Sequence, residues 1–275
     1  MVSIIVVGHD SGPLLVECLQ SALASTARVE LLVSDNDSND GSIEAVEELA
    51  RLDSRLRVLR NGGNLGFAAA NNRALALASG AYVLFLNPDC LVRSDTVADM
   101  VAALDAHPEA GMAGCVIRNP DGSEEPSGRR ALPTPGLLLR QLIGAERPRA
   151  KAPPAAPSPV EAISGAFMLV RRADIDDIGS FDERYFLHWE DLDLCRRFHQ
   201  AGRKILFVPG VEVLHFKGRS SRRRPLWVEW QKHRGLIRYM RKFHFAGWRA
   251  PLQAPVALAI GARFLARAAR PARLA

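Results

Sequence analysis

Apolar and polar positions alternate along the first 117 residues in a way that predicts strands and helices in turn. Ser3–Val7, Val29–Val33, Leu56–Leu59 and Tyr82–Leu86 are apolar runs rich in β-formers and too short for helices. Each reads as a strand buried on both faces of a mostly parallel sheet. Between them, Leu14, Leu15, Cys18, Leu19, Ala22 and Leu23 recur at helical spacing behind Pro13, which suits the first helical position. Ile43–Leu52, with Ala45, Val46 and Leu49 inward, and Phe67–Ala78 predict two further helices. Ser94 is placed to cap a helix with Val97, Met100, Val101 and Leu104 on its inner face, and Gly111–Ile117 is another strand. Strands and helices at this spacing make βαβ units, and so an α/β domain on a parallel sheet.

The pattern weakens from Arg118 to Pro159, where RPRAKAPPAAPSP is too rich in proline for regular structure and reads as a mobile surface loop. Order returns with the strand-like AFMLVRR after Ser164-Gly165 and a helix over Trp189–Ala201 stopped by Gly202. Two strands, Lys204–Val208 and Val211–Phe216, are expected around a turn at Pro209-Gly210. The domain reading is therefore a catalytic domain over 1–218, with halves at about 1–118 and 160–218 and a mobile loop at 119–159, then a helical basic tail over 219–275.

Composition narrows the function. A chain of 275 residues, 48% hydrophobic, can bury one large core. Net charge of +6 admits phosphorylated substrates, anionic lipid or nucleic acid as partners. The basic residues concentrate in the tail without a nucleic-acid motif, so no nucleic-acid partner is expected. Four well-separated cysteines make no CxxC pair, and no apolar run is long enough to span a bilayer. A cytoplasmic protein is expected, with Trp227 to Tyr239 of the tail packed on the catalytic domain and its last, Arg-rich part in peripheral contact with the inner face of the plasma membrane.

Three clusters could carry chemistry. Asp35 ends the second strand, and Asn61-Gly62-Gly63-Asn64-Leu65-Gly66 follows the third. A strand-end carboxylate can accept from the imide N–H of a pyrimidine, and glycines admit a ribose closely; the same residues also make good loops and caps. Asp89, after Asn87-Pro88, sits where open sheets bind ligands and can hold a divalent cation on a phosphate, or the tripeptide can simply turn the chain. His215 at a strand end could be a second, neutral ligand for that metal. In FDERYFLHWEDLDL, Glu190-Asp191 begins a helix: the helix N-terminus favours ionised carboxylates, while burial against Phe186 and Trp189 opposes ionisation and suits a general base. There is no G-x-G-x-x-G on the first helix and no G-x-x-x-x-G-K-[ST], which excludes the usual dinucleotide and P-loop signatures.

VVGHDS, VSDNDSNDGS, NGGNLGFAAANNRAL, FLNPDCLV, SGAFMLVRR, FDERYFLHWEDLDLCRRFHQAGRKI and LHFKGRSS together resemble the inverting glycosyltransferases of family 2, nearest their bacterial rhamnosyltransferase-like branch. The resemblance runs from about Val2 to Tyr239 and implies the GT-A fold. It implies that Asp35, Asn64 and Gly66 contact the nucleotide and that Asn87-Pro88-Asp89 is the DxD-type motif. Mg2+ or Mn2+ would then lie on Asp89 and His215, with Asp191 as base and Trp189, Glu190 and Gly165 on the acceptor. Asn87 stands where DxD has its first acid, and Gly8-His9 where an aromatic and Asn are commoner. The implied donor is dTDP-rhamnose, with a UDP-hexose or UDP-galactofuranose as runner-up. The implied acceptor is a glycan or polyprenyl-linked sugar of cell-surface polysaccharide synthesis. A nucleotidyltransferase would need a Gly-rich, Lys-containing first loop, which GHDSGP does not supply. A non-catalytic nucleotide-sugar-binding protein would have little need of Asp35, Asp89, Asp191 and His215 together.

Overall fold

The computed structural model describes residues 1–142, 153–216, 225–245, 250–251 and 253–268. Residues 147–152 of the proline-rich stretch, and Lys217, Gly218, Ser220, Arg270 and Arg273, lie outside the described residues.

Strands β1 (Val2–Gly8), β2 (Val29–Asp35), β3 (Leu56–Arg60) and β4 (Tyr82–Leu86) alternate with helices α1 (Pro13–Leu23), α2 (Ser42–Leu52) and α3 (Phe67–Leu75). The short β5 (Cys90–Leu91), helix α4 (Thr96–Asp105) and the long β6 (Ala110–Arg118) follow. Next come β7 (Arg129–Arg130), α5 (Pro135–Leu142), β8 (Ser158–Val160), β9 (Ala162–Ile163), β10 (Phe167–Arg171) and α6 (Arg172–Ile178). The chain continues through α7 (Glu190–Gln200), β11 (Lys204–His215), α8 (Pro225–Phe243) and α9 (Gln253–Ala268).

The main sheet has the order β3-β2-β1-β4-β10-β6-β11-β5, with β8 added against β11. Strands β1 to β4, β6 and β11 run one way, while β10, β5 and β8 oppose them. This is the α/β sheet the pattern predicts, flanked by helices on both faces. Successive residues of one strand feed opposite cores, as a two-residue period requires. Ile4, Val6, Leu31 and Val33 meet Leu15, Leu19 and Ile43 of α1 and α2 and Met100 of α4. Ile5, Leu32, Val83 and Phe85 meet Ala74 of α3, Leu194 and Phe198 of α7, and Tyr239 and Met240 of α8.

Four local expectations need correction. Lys204–Val208 and Val211–His215 form a single strand, parallel to β6 on both sides of Pro209-Gly210. Val208 lies opposite Cys115 and Glu212 opposite Val116, so the intervening residues bulge without turning the chain back. The region 119–159 is not wholly loop: β7, α5 and the start of β8 lie in it. Helix α4 begins at Thr96 behind Asp95, and Ser94 makes no cap. Helix α7 begins one residue late, because Trp189 takes a left-handed conformation at φ 79°.

Among the described residues no helix is long and apolar enough to cross a membrane.

Candidate active site

The carboxyl ends of β1, β2, β3 and β4 open on one edge of the sheet, because β1 pairs in parallel with both β2 and β4. That is where the strand order reverses and where ligand crevices form in open α/β sheets. Asp35 is 1% exposed there, its carboxylate 3.3 Å from the Ser38 amide. Beside it, Asn36 does what the sequence reading did not assign. Its Nδ2 donates to Gly66 O at 3.2 Å, while its Oδ1 accepts from Asn61 Nδ2 at 2.9 Å and from the Leu65 amide at 3.3 Å. The loop after β2 and the glycine-rich loop are thus one unit. Asn64 is exposed, and its Oδ1 accepts from the Gly66 amide at 3.0 Å. Gly66 has φ 84°, and a Cβ there would lie 2.5 Å from Phe186 O, so only glycine fits. The Phe67 amide donates to that same carbonyl at 2.8 Å, joining the nucleotide half to the segment that carries Asp191.

Asp89 and His215, far apart in sequence, come together because β5 pairs antiparallel with β11, setting Cys90 opposite His215. His215 Nε2 lies 3.2 Å from Asp89 Oδ1. Its Nδ1 donates to Glu125 Oε2 at 2.8 Å, since a carboxylate can only accept. Burial works against a charge on the imidazole, but the hydrogen bonds and charges of Asp89 and Glu125 outweigh it and push its pKa up to about 9. Asn87 Nδ2 is 3.5 Å from His215 Nε2, too far for a strong bond.

Donor chemistry decides whether a hard divalent cation fits. Asp89, Cys90 and His215 lie close enough together to share one ion. Burial and the Asp89 charge push the Cys90 thiol well above its usual range, and its sulfur points 3.6 Å from Ala166 O. A protonated thiol is a poor ligand for Mg2+ or Mn2+, whereas a carboxylate and an imidazole backed by a second carboxylate suit Mn2+. The cation therefore fits Asp89 and His215, with Glu125 orienting the ring. Glu125 was missed in the sequence, where SEEPSG offers no signal beyond a Glu before a turn.

Asp191 sits in the first turn of α7 and is 8% exposed. Its Oδ1 accepts from the Leu192 amide at 2.8 Å and its Oδ2 from the Gly165 amide at 3.2 Å. Arg130 of β7 makes an ion pair with the same Oδ2. Gly165, expected to touch the acceptor, is thus found positioning Asp191. The two adjacent acids have different surroundings. Asp191 takes the hydrogen bonds, while Glu190 is buried with Oε2 unpartnered. Burial, reinforced by the Asp191 charge, pushes the Glu190 carboxyl up to about 8.

Next to Asp191 lies a pocket of about 320 Å³, walled by Trp189, His188 and Arg130 and by Glu229, Lys232 and His233 of α8. Glu190, expected at the acceptor, does not line it. Helix α8 is fixed by a clamp of opposite charges. Lys242 Nζ is 2.6 Å from Asp193 Oδ2 and 3.1 Å from Asp182 Oδ2, and Arg238 Nη2 is 2.9 Å from Asp182 Oδ2. Arg197 also holds Asp193, at 2.8 Å. Nothing in the spacing of the tail announces these pairs.

Comparison with known proteins agrees with this geometry. The family model described as Glycosyl transferase family 2 matches residues 3–179. The N-acetylglucosaminyl-diphospho-decaprenol L-rhamnosyltransferase of Mycobacterium tuberculosis is 34% identical, over 91% of this chain and 87% of that protein. The rhamnosyltransferase WbbL of Escherichia coli is 27% identical, over 81% of this chain and 86% of that protein. In fold, the chain is similar to the mannosyltransferase PcManGT from Pyrobaculum calidifontis, solved with GDP-Man and Mn2+ (TM-score 0.65, 23% identity, covering 99% of this chain and 76% of that one). It is also similar to GalNAc-T7, solved with UDP, GalNAc and Mn2+ (TM-score 0.67, 18% identity, covering 88% of this chain and 47% of that one). The β2, β4 and α7 termini thus present their carboxylates on a GT-A scaffold, and the chain belongs to glycosyl transferase family 2.

Proposed function

We propose that the chain moves rhamnose from dTDP-rhamnose to a sugar carried on a polyprenyl diphosphate, with inversion at the anomeric carbon. The observation that carries the reading is the meeting of Asp89 and His215 at 3.2 Å, at the same sheet edge as Asp35. Such a pair suits a nucleoside diphosphate, and the likeness to the rhamnosyltransferases supports the donor and acceptor.

In the reaction, Asp191 Oδ2 accepts the proton of an acceptor hydroxyl while that oxygen bonds to the anomeric carbon. The bond from that carbon to the diphosphate breaks on the opposite face, and the electron pair leaves with the nucleotide. Arg130 and the Gly165 amide keep Asp191 aimed, and Asp35 with the Asn36-tied loop holds the base and ribose. Held by Asp89 and His215, Mg2+ or Mn2+ would offset the charge gathering on the diphosphate. Exposed Leu226, Trp227 and Trp230 of α8 and Leu258 and Leu265 of α9, with Arg234 and Arg241, favour seating on the surface of an anionic membrane that bears the acceptor.

The test is transfer from dTDP-rhamnose and from a panel of UDP-sugars to an alkyl-diphosphate-linked N-acetylglucosamine, with manganese or with chelator. Manganese-dependent, inverted transfer from dTDP-rhamnose is expected, and Asp191→Asn should lower kcat by roughly 10²–10⁴-fold. Full activity of a folded Asp191→Asn protein would remove Asp191 as base. Preference for a UDP-hexose would overturn the donor.

A further inference from the structure

The pocket beside Asp191 holds a cation, Lys232, that proton abstraction from a sugar hydroxyl does not use. Lys232 is exposed on α8, lines the pocket, and has no hydrogen-bond or ion-pair partner among the described residues. Arg130 and His188 also line it, and each has one buried nitrogen without a hydrogen-bond partner, Arg130 Nε and His188 Nε2. Buried polar atoms of native proteins are nearly always partnered, and an exception in a pocket wall calls for a partner such as an ordered water or ion. His188 also stands in a left-handed backbone conformation at φ 66°, a strained arrangement for a non-glycine residue of the kind that gathers at ligand sites.

The other polar groups of the pocket are already engaged. Arg130 gives its Nη2 to Asp191. His233 Nδ1 donates to the Glu229 carbonyl at 2.8 Å, and its ring lies against Phe264 of α9. Glu229, the one acid of the α8 wall, lies 3.6 Å from that imidazole, one helical turn away on the same face. What is left open is the Lys232 ammonium beside a space of about 320 Å³, large enough for a sugar ring with an adjoining phosphate. An unpaired ammonium selects an anionic oxygen, and a phosphate offers several.

We propose that this pocket is a phosphate subsite for the acceptor, in which Lys232 takes the charge of the phosphate that links sugar to lipid. The inference rests on the function proposed above and adds to it. Lys232 distinguishes a diphosphate-linked sugar from the same sugar on a neutral aglycone, and helix α8 completes the active site. Asp191 lines the same pocket, so a sugar anchored through its phosphate presents its hydroxyls to the base over the length of one ring.

The experiment compares wild type with Lys232→Ala and Lys232→Glu on two acceptors, an alkyl-diphosphate N-acetylglucosamine and the neutral alkyl glycoside of the same sugar. With the diphosphate acceptor, Lys232→Ala should lower kcat/KM about tenfold, mostly through KM, the loss of one charge-assisted hydrogen bond at a partly open site. Lys232→Glu should lower it further. The neutral acceptor, the donor KM and thermal stability should change less than about twofold or about 1 °C, as suits an exposed residue. Equal loss on both acceptors, or a rise in donor KM instead, would overturn the assignment. Should wild type transfer no sugar to either acceptor, the proposed function fails, and titration calorimetry with dodecyl diphosphate and inorganic pyrophosphate decides the subsite independently. Dodecyl diphosphate binding that weakens in Lys232→Ala supports it. Identical binding in both proteins, or none to wild type, overturns it.

Discussion

Lys242→Met tests the clamp that holds helix α8 against the catalytic domain. The Asp193 side chain is wholly buried, and Lys242 is one of its two cationic partners. Burial alone would raise the Asp182 carboxyl, but hydrogen bonds from Arg184, Arg238 and Lys242 hold it well below the usual carboxylate range. Leaving a buried charge with no partner costs about 3–5 kcal/mol. Here Arg197 stays on Asp193, and Arg184 and Arg238 stay on Asp182, so about half of that, near 2 kcal/mol, is expected. In a protein of this length each kcal/mol moves Tm by about 2–4 °C, which puts the shift at about 4–8 °C. The control is Arg51→Met, which breaks a pair with Glu48 in which both side chains are about two-thirds exposed. An exposed pair of that kind is screened by water and contributes little, so the melting temperature should barely move. Calorimetric melts of the two variants in the same buffer decide the matter. A Lys242→Met shift no larger than that of Arg51→Met would refute the clamp.

Two more outcomes follow from the same helix and its neighbour. Gly→Ala inside a helix usually stabilises by about 1 kcal/mol, but a Cβ on Gly235 would lie 2.5 Å from Trp189 Cδ1 and 2.9 Å from its Cγ. Gly235→Ala should therefore destabilise by about 1–3 kcal/mol in melts, whereas Gly261→Ala in α9, with open space around it, should not; a stabilised Gly235→Ala would show that Trp189 yields freely. Glu190 has an ordinary pKa of 4.5 and is raised to about 8 in the fold, so between those values the folded chain keeps a proton that the unfolded chain releases. Stability then falls as pH rises through this window, and Glu190→Gln should gain on wild type between pH 5 and pH 8 in urea titrations; a constant difference would place the titration elsewhere.

The parts of the site legible in the sequence were those tied to strand periodicity. Asp35, Asp89 and His215 each terminate an apolar run, and the sheet brings such ends to one edge. Asp191 was legible from a helix start among aromatics. What stayed hidden was partnership across the weak region. Glu125 and Arg130 lie in a stretch without periodicity, and they matter only because β6 and β7 carry them to His215 and Asp191. Pro209-Gly210 misled for a different reason. The dipeptide has turn chemistry, yet the chain is held in line by β6 on either side and absorbs the extra residues as a bulge. The first part of the tail is expected to pack on the domain, but composition could not reveal that Arg238 and Lys242 face inward onto Asp182 and Asp193.

Helix α8 meets the domain through a few separable contacts: the Lys242 clamp, the approach of Gly235 to Trp189, and the Tyr239 and Met240 side chains in the core. It lies wholly beyond residues 3–179, the stretch that the family model matches. The molecule is thus divided like a tool with a fixed handle and an exchangeable jaw. Asp35 and Asp89 sit in the handle, while one wall of the pocket beside Asp191 is carried by the jaw. Under the proposed roles, one face of a single helix can be rewritten to change the acceptor without touching Asp35 or Asp89.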